Sequence, residues 1–402
     1  MESHYCLTLN DESKNEHQRV PSDVTHLRVN RENSRSYSNF NLNHLFDNLI
    51  KNNPNIISLC TNYQEITKIP NCLQFMHLKI LKVSGNSLHE LPDLPDSLEV
   101  LNISNNYLRN LDKLPTSLKE FDCCKNYLRI LPNLPITLTK MDVSRNQLKS
   151  LLILPPLLFV LLCEDNQIQT IGELPITLKS LNISNNQLIS LPIFSEESVL
   201  QVLYCNNNST LISLPDLLPP KLGDLNCSHT SITYLPEIEH LEKLYNLNCS
   251  YTKILSIPPL PFSINNLNCS CTLISELPQL YKNLFHLNVS CTLIQKLDLP
   301  KNLVDLSCNS NHRFGNDELM NDTMLSQLFL HDKCALNTID INLHLCINPF
   351  NENDMDNITD FIKKLKTMSQ ICINKKRYFP LGITLELLVE DNVIEYDYAV
   401  LK

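Results

Sequence analysis

Five glycines, two alanines and no tryptophan in 402 residues leave several kinds of site without material. A phosphate-cradling loop needs glycines gathered where backbone amides must approach the ligand closely, and no such cluster occurs. The chain contains no C-x-x-C and no H-x-x-x-H, so the ligand spacings of zinc fingers and zincins are missing. Its twelve histidines are scattered, and no Ser/His/Asp arrangement emerges from spacing. No catalytic residue, cofactor or metal is therefore expected. Long apolar runs are also lacking. The longest, Leu151–Cys163, has thirteen residues and carries Pro155-Pro156 inside it, whereas a spanning helix needs about twenty. It straddles a repeat junction and reads as core. The first residues, MESHYCLTLNDESKNEHQ, hold no apolar stretch, so no classical secretory signal is expected. Sixteen cysteines without such a signal point to reduced thiols in a cytoplasmic or host-cytosol setting. A net charge of −10 argues against nucleic-acid and anionic-membrane partners.

What is abundant is leucine in register. Residues 98–117 read LEVLNISNNYLRNLDKLPTS, and the frame L-x-x-L-x-L-x-x-N-x-L-x-x-L-P restarts at Leu118 and Leu138, a period of twenty. That is the leucine-rich-repeat signature at the short end of its range. Further starts fall at Ile56, Leu78, Leu158, Leu178, Leu200, Leu222, Leu244, Ile264, Leu284 and Leu303. Because each unit touches only its neighbours, one solenoid can absorb the whole length. The reading is an α/β solenoid of about fifteen strands: a leucine-rich-repeat horseshoe with a parallel concave sheet. About nine residues with one or two prolines remain for each return path, too few for a helix, so an extended, polyproline-like convex side is expected.

Both ends are expected to differ. Val20-Pro21-Ser22-Asp23-Val24 repeats the frame of Leu114–Leu118, which puts the first strand at Val24–Val29 and leaves residues 1–19 as a loose terminus. Leu42, Leu45, Phe46, Leu49 and Ile50 have helical spacing. Past Leu303, Asp317–His331 reads as a helix, Ile339–Ile347 as a strand, Met355–Met368 as a helix and Ile383–Val400 as a hairpin. The divisions are 1–55 (tail, capping strand and helix), 56–311 (short repeats) and 312–402 (helix-backed repeats and cap).

Asn86, Asn106, Asn126, Asn146, Asn166, Asn186 and Asn208 stand eight residues past their starts. A buried amide can bond to loop backbone of its own coil and the adjacent one. Thr230, Thr252, Thr272 and Thr292 take the position later, with fewer bonds to offer, and Gln64 takes it in the repeat at Ile56. Cys123, Cys163, Cys205, Cys227, Cys249, Cys269 and Cys308 share the third apolar position, where a free thiol behaves as a small hydrophobe.

The L-P-x-L-P spacing of Leu91–Pro95 and Leu131–Pro135 resembles the LPX-type repeats of bacterial effectors. The composition resembles leucine-rich-repeat proteins of giant DNA viruses of amoebae. In one branch of the effectors the repeats precede a ubiquitin-ligase domain with a catalytic C-x-D. The sole C-x-D here, Cys163-Glu164-Asp165, falls on a buried strand position, so the resemblance implies a non-catalytic binder.

Residues two, four, six and seven past each start should face outward. Position four is mostly polar, and the repeat at Leu158 breaks that rule with Val160 and Leu162. With Val202 and Tyr204 as further apolar contacts, and Asp122, Lys140, Asp142 and Asn182 setting orientation, this is the expected site for a protein or peptide partner. The alternatives are a substrate-receptor adaptor whose segment 312–402 recruits a second partner such as ubiquitin machinery, and a structural or virion component. Asn102, Asn182, Asn226, Asn248, Asn268 and Asn288 sit in N-x-S, but glycans there would block the sheet. Cys271 and Cys291 share a position in adjacent repeats and read as two reduced thiols. Lys363–Arg377 holds the one basic cluster, read as cations at a helix end.

Overall fold

In a computed structural model the described residues are 4–9, 23–31, 55–63, 66–69, 76–294, 296–298, 300, 302–307, 327–329, 338–340 and 371–372. The chain divides into two compact units, Met1–Leu203 and Tyr204–Lys402. In the first, strands His4–Leu9, His26–Arg31, Ser58–Cys60, Ile80–Lys82, Val100–Asn102, Glu120–Asp122, Lys140–Asp142, Val160–Leu162 and Ser180–Asn182 pair in succession, all parallel. In the second, Asp224–Asn226, Asn246–Asn248, Asn266–Asn268, His286–Asn288, Asp305–Ser307, Thr338–Asp340 and Ile371–Cys372 do the same. Each unit is a parallel β-solenoid of short coils.

The repeat frame explains each coil. Side chains alternate along a strand, so the middle residue points inward: Leu101, Phe121, Met141, Leu161 and Leu181 stack with at most 1% exposure. The cysteine column lies inside with them, and Cys163, Cys205, Cys227 and Cys269 donate weakly to the asparagine carbonyl of the next coil. The asparagine ladder forms as its chemistry allows. The Asn106 amide accepts from Leu88 N–H at 3.0 Å and donates to Val83 O in the preceding coil at 3.1 Å and Ile103 O in its own at 3.0 Å. Each threonine substitute keeps one bond, within its own coil, as in Thr252 Oγ1 to Cys249 O at 2.7 Å. Gln64 lies outside the described residues, as does Cys308.

Two turn devices were not anticipated. One residue before the ladder position, twelve coils turn through φ of 53–66°, from Tyr63 and Gly85 to Cys271 and Cys291. Only Gly85 is glycine, so non-glycine residues carry this left-handed column elsewhere. At the other end of the coil, the residue three before most starts, usually a proline, accepts the start residue's N–H, as in Leu98 to Pro95 at 3.1 Å and Leu158 to Pro155 at 3.2 Å. The recurrent L-P is thus the opening of a turn as well as a bar to helix.

Among the described residues there is no helix, as the proline content of the return paths requires. In the first unit return segments pair instead: Ser150–Leu151 with Thr170–Ile171, in parallel. Coils beginning at Leu118 and Leu178 carry Pro132 and Pro192 just after this point, whereas Leu152 and Gly172 here keep their amides. Gly172 N–H reaches Leu151 O at 2.7 Å. A β-carbon on Gly172 would lie 2.0 Å from Leu152 O, a backbone atom that cannot rotate away. Gly172→Ala should therefore cost about 2 kcal/mol in urea unfolding, in the range of overpacked sites.

Three expectations need correction. Residues 1–19 are not wholly loose, because His4–Leu9 forms a strand in parallel register with His26–Arg31. It continues the sheet by one more strand, and Val24 is buried before the next. Asp317–His331 is not all helix, since Gln327–Phe329 is a strand paired with Lys296–Asp298. Over so short a stretch apolar spacing does not separate the two, and pairing with a neighbouring coil decides. Thirdly, the apolar run Leu151–Cys163 is only half core. Leu151, Leu158, Leu161 and Cys163 are buried, but Leu152 and Ile153 are 65% and 85% exposed, and Leu157 and Phe159 are exposed too. No helix among the described residues is long and apolar enough to cross a membrane. The strand beginning at Thr338 matches the expectation for Ile339–Ile347 as far as Asp340. The expected helices at 42–50 and 355–368, the hairpin at 383–400 and the basic cluster lie outside the described residues.

Candidate functional site

Register brings most of the expected site together on the outward face of the first unit. Asp122 stands opposite Asp142, Asp142 opposite Leu162, and Leu162 opposite Asn182. In the parallel row, Glu120, Lys140, Val160 and Ser180 follow one another. Val160 and Leu162 are half-buried, Lys140 is exposed, and Val202 is half-buried at the end of the same unit, its N–H bonded to Lys179 O. Tyr204 opens the second unit. Its hydroxyl donates to Asp224 at 2.7 Å, a bond that, with some burial, pushes the phenol up to about 12. Asp224 is itself buried and also accepts from Asn246 at 2.7 Å. Tyr204 is thus held by its own unit's polar network.

Some polar residues of the face bond to one another. Asn102 donates to Asp122 at 2.8 Å, and Asn182 donates to Glu164. Leu162 lies between Asp142 and Asn182 with no polar atom to join such a network. Position six was expected to face outward, and this is corrected. Ser84, Ser104, Ser144 and Ser184 are buried, while Cys124 and Glu164 are half-buried. The reason is a local cap: Asn102 Oδ1 accepts both the Ser104 N–H at 3.0 Å and its hydroxyl at 2.8 Å. Asn226–Ser228, Asn248–Ser250 and Asn268–Ser270 repeat it. Each N-x-S is therefore a side-chain turn that fixes the strand exit. The recurrence of N-x-S at one register was the signal, and a glycosylation reading obscured it.

Sequence spacing also hid a convergence of unlike ligands. Oxygen atoms of Asp122 and Asp142 and the sulfur of Cys124 lie within 4.8 Å of one another. Burial raises the Asp122 carboxyl above its ordinary value, and the charge of Asp142 adds to that. Burial, then the two carboxylates, push the Cys124 thiol up to about 12. By contrast, Cys163 of the C-x-D is fully buried, its thiol is raised by burial, and it donates to Asn182 O. It has no exposure from which to act as a nucleophile.

In the second unit, Cys271 and Cys291 are half-buried in adjacent coils. The Cys291 thiol bonds to the Cys271 sulfur and holds Cys271 below the ordinary thiol value; burial opposes this and the Tyr251 hydroxyl assists it. Cys291 is correspondingly raised by the same bond. Cys271 is therefore the more acidic of the two thiols, and its reactivity falls as pH falls. Iodoacetamide at neutral pH should alkylate Cys271 before any strand cysteine, read by peptide mass spectrometry. Cys291→Ala should shift the midpoint of that reactivity upward.

No family model and no curated protein sequence matches the chain. Solved structures do. YopM from Yersinia enterocolitica aligns at TM-score 0.59 and 26% identity, covering 81% of this chain and 75% of that one. YopM from Yersinia pestis, a leucine-rich effector protein, aligns at 0.53 and 28%, covering 71% and 92%. A leucine-rich-repeat protein of Leptospira interrogans aligns at 0.61 and 21%, covering 87% and 90%. The fold is that of the leucine-rich-repeat solenoids.

Proposed function

We propose that the chain is a non-catalytic interaction module that takes a protein or peptide on the outward sheet face of its first unit. The observation that carries the reading is Leu162, half-exposed between Asp142 and Asn182 in a run of position-four side chains that is polar from Lys82 to Asn182 elsewhere. Val160 and Val202 extend the apolar contact, and Asp122, Lys140, Asp142 and Asn182 supply a charged rim that fixes register. Central apolar anchors within a polar rim are the usual anatomy of a protein contact. The leucine-rich effector named among the similar structures supports an effector-like role.

Proximity labelling with the full chain tests this. Val160→Asp/Leu162→Lys changes only outward side chains, so its melting temperature should match the parent within about 2 °C. It should lose the parent's specific neighbours. A second reading rests on Leu152, Ile153, Leu157 and Phe159, whose exposure on the return path exceeds that of the sheet anchors. If Leu152→Asp/Ile153→Lys loses the neighbours and the sheet variant keeps them, the partner sits on the return path instead.

A further inference from the structure

Asp122, Cys124 and Asp142 present two carboxylates and a thiol at one point of the first unit's outward face. Among the described residues neither carboxylate forms an ion pair, although Lys140 stands in the next row. Both acids are instead oriented by neutral donors. Asp122 accepts from Asn102 Nδ2 at 2.8 Å and Cys124 N–H at 3.1 Å, and Asp142 accepts from Ser144 N–H at 3.0 Å. Such bonds leave a lone pair on each carboxylate while fixing its direction, as outer-shell partners of metal ligands do.

Ser144 supplies an independent sign. It is 4% exposed, and its hydroxyl has no hydrogen-bond partner. The equivalent hydroxyls of Ser104, Ser228, Ser250 and Ser270 all donate to the asparagine two residues back, at 2.7–2.8 Å. Ser144 holds the same place in its coil as Cys124 does in the preceding one, and Lys125 N–H bonds to Ser144 O at 2.9 Å. Its hydroxyl sits two residues from Asp142, whose carboxylate accepts the Ser144 N–H. An orphaned buried hydroxyl calls for an additional group, such as a bound ion or its water.

We propose that Asp122, Cys124 and Asp142 bind a divalent cation of the zinc type, with a fourth position left to water that Ser144 holds. Tetrahedral zinc with one sulfur and oxygen ligands sets its donors about 3.4–3.6 Å apart. Donors already within 4.8 Å reach that by side-chain rotation on a fixed sheet. A thiolate beside carboxylates selects zinc over magnesium or calcium, which prefer oxygen alone. Binding forms the metal–sulfur bond and releases the thiol proton to solvent, with no change of oxidation state. The site extends the partner-binding reading, sharing Asp122 and Asp142 with it, and is tested without any partner.

The experiment uses the full chain, reduced and stripped with chelator, titrated with Co²⁺. One equivalent should give a thiolate-to-cobalt charge-transfer band in the near ultraviolet, displaced by Zn²⁺ but not by excess Mg²⁺. Cys124→Ser should abolish the band, and Asp142→Asn should weaken Zn²⁺ binding at least tenfold in competition with a chelating dye. Cys271→Ser/Cys291→Ser should leave both unchanged. A band that survives Cys124→Ser, one that vanishes with the Cys271/Cys291 variant, or no band at all would each overturn the assignment. Asp142→Asn reads the same affinity should Cys124→Ser unfold. Loss of cobalt binding with partner labelling intact would sink the metal site alone.

Discussion

Asn126→Ala should lower the free energy of unfolding by about 4 kcal/mol, measured by urea denaturation of the full chain. The amide accepts from Leu108 N–H at 3.0 Å and donates to Ile103 O and Cys123 O at 3.0 Å each. Alanine leaves all three backbone groups buried, and each orphaned group costs about 1–3 kcal/mol before relaxation. Two of those groups belong to the coil before Asn126, so the substitution also weakens an interface between coils, the term on which solenoid stability depends. Thr252→Ala serves as the internal comparison. Its hydroxyl makes one bond, to Cys249 O in its own coil, and its loss should cost about 1 kcal/mol. Equal losses at the two positions would show that the amide's reach into the preceding coil carries no weight.

The asparagine column was legible because one residue type had to solve one geometric problem at a constant interval, and leucine spacing fixed which side chains meet inside. The left-handed turn beside it was not. Its occupants run from Gly85 through Lys125 and Arg145 to Cys291, so no residue preference marks it. The ladder of bonds on both sides imposes the conformation, and the side chains, pointing outward, are free to vary. Strands that pair outside the regular period were likewise hidden. Neither His4–Leu9 nor Gln327–Phe329 carries the repeat frame, and each is defined by the strand it lies against. Of the candidate site, the apolar break at Val160 and Leu162 could be seen by counting along one column. The meeting of Asp122, Cys124 and Asp142 could not, because it combines positions four and six of two coils across twenty residues. The same distance misjudged the run Leu151–Cys163, where hydrophobicity alone did not tell inward from outward.

Phe121→Ala should cost about 4 kcal/mol, the range for emptying a buried aromatic site. Among the described residues Phe121 is the largest of the fully buried side chains, 1% exposed, in a column where neighbouring coils place Leu101 and Met141. Its ring fills a layer that leucine fills elsewhere, so Phe121→Leu should cost only about 1 kcal/mol, a volume change the column tolerates. The cavity left by alanine lies next to Asp122 and three residues from Cys124, whose positions depend on that strand staying paired with Lys140–Asp142. Hydrogen exchange should therefore accelerate first in the coils beginning at Leu98, Leu118 and Leu138, while distant coils change little, as nearest-neighbour coupling in a solenoid requires. Uniform acceleration along the whole chain would mean that it unfolds as one cooperative block. In that case the outward face would owe its geometry to the entire array, and no single coil could be altered without moving it.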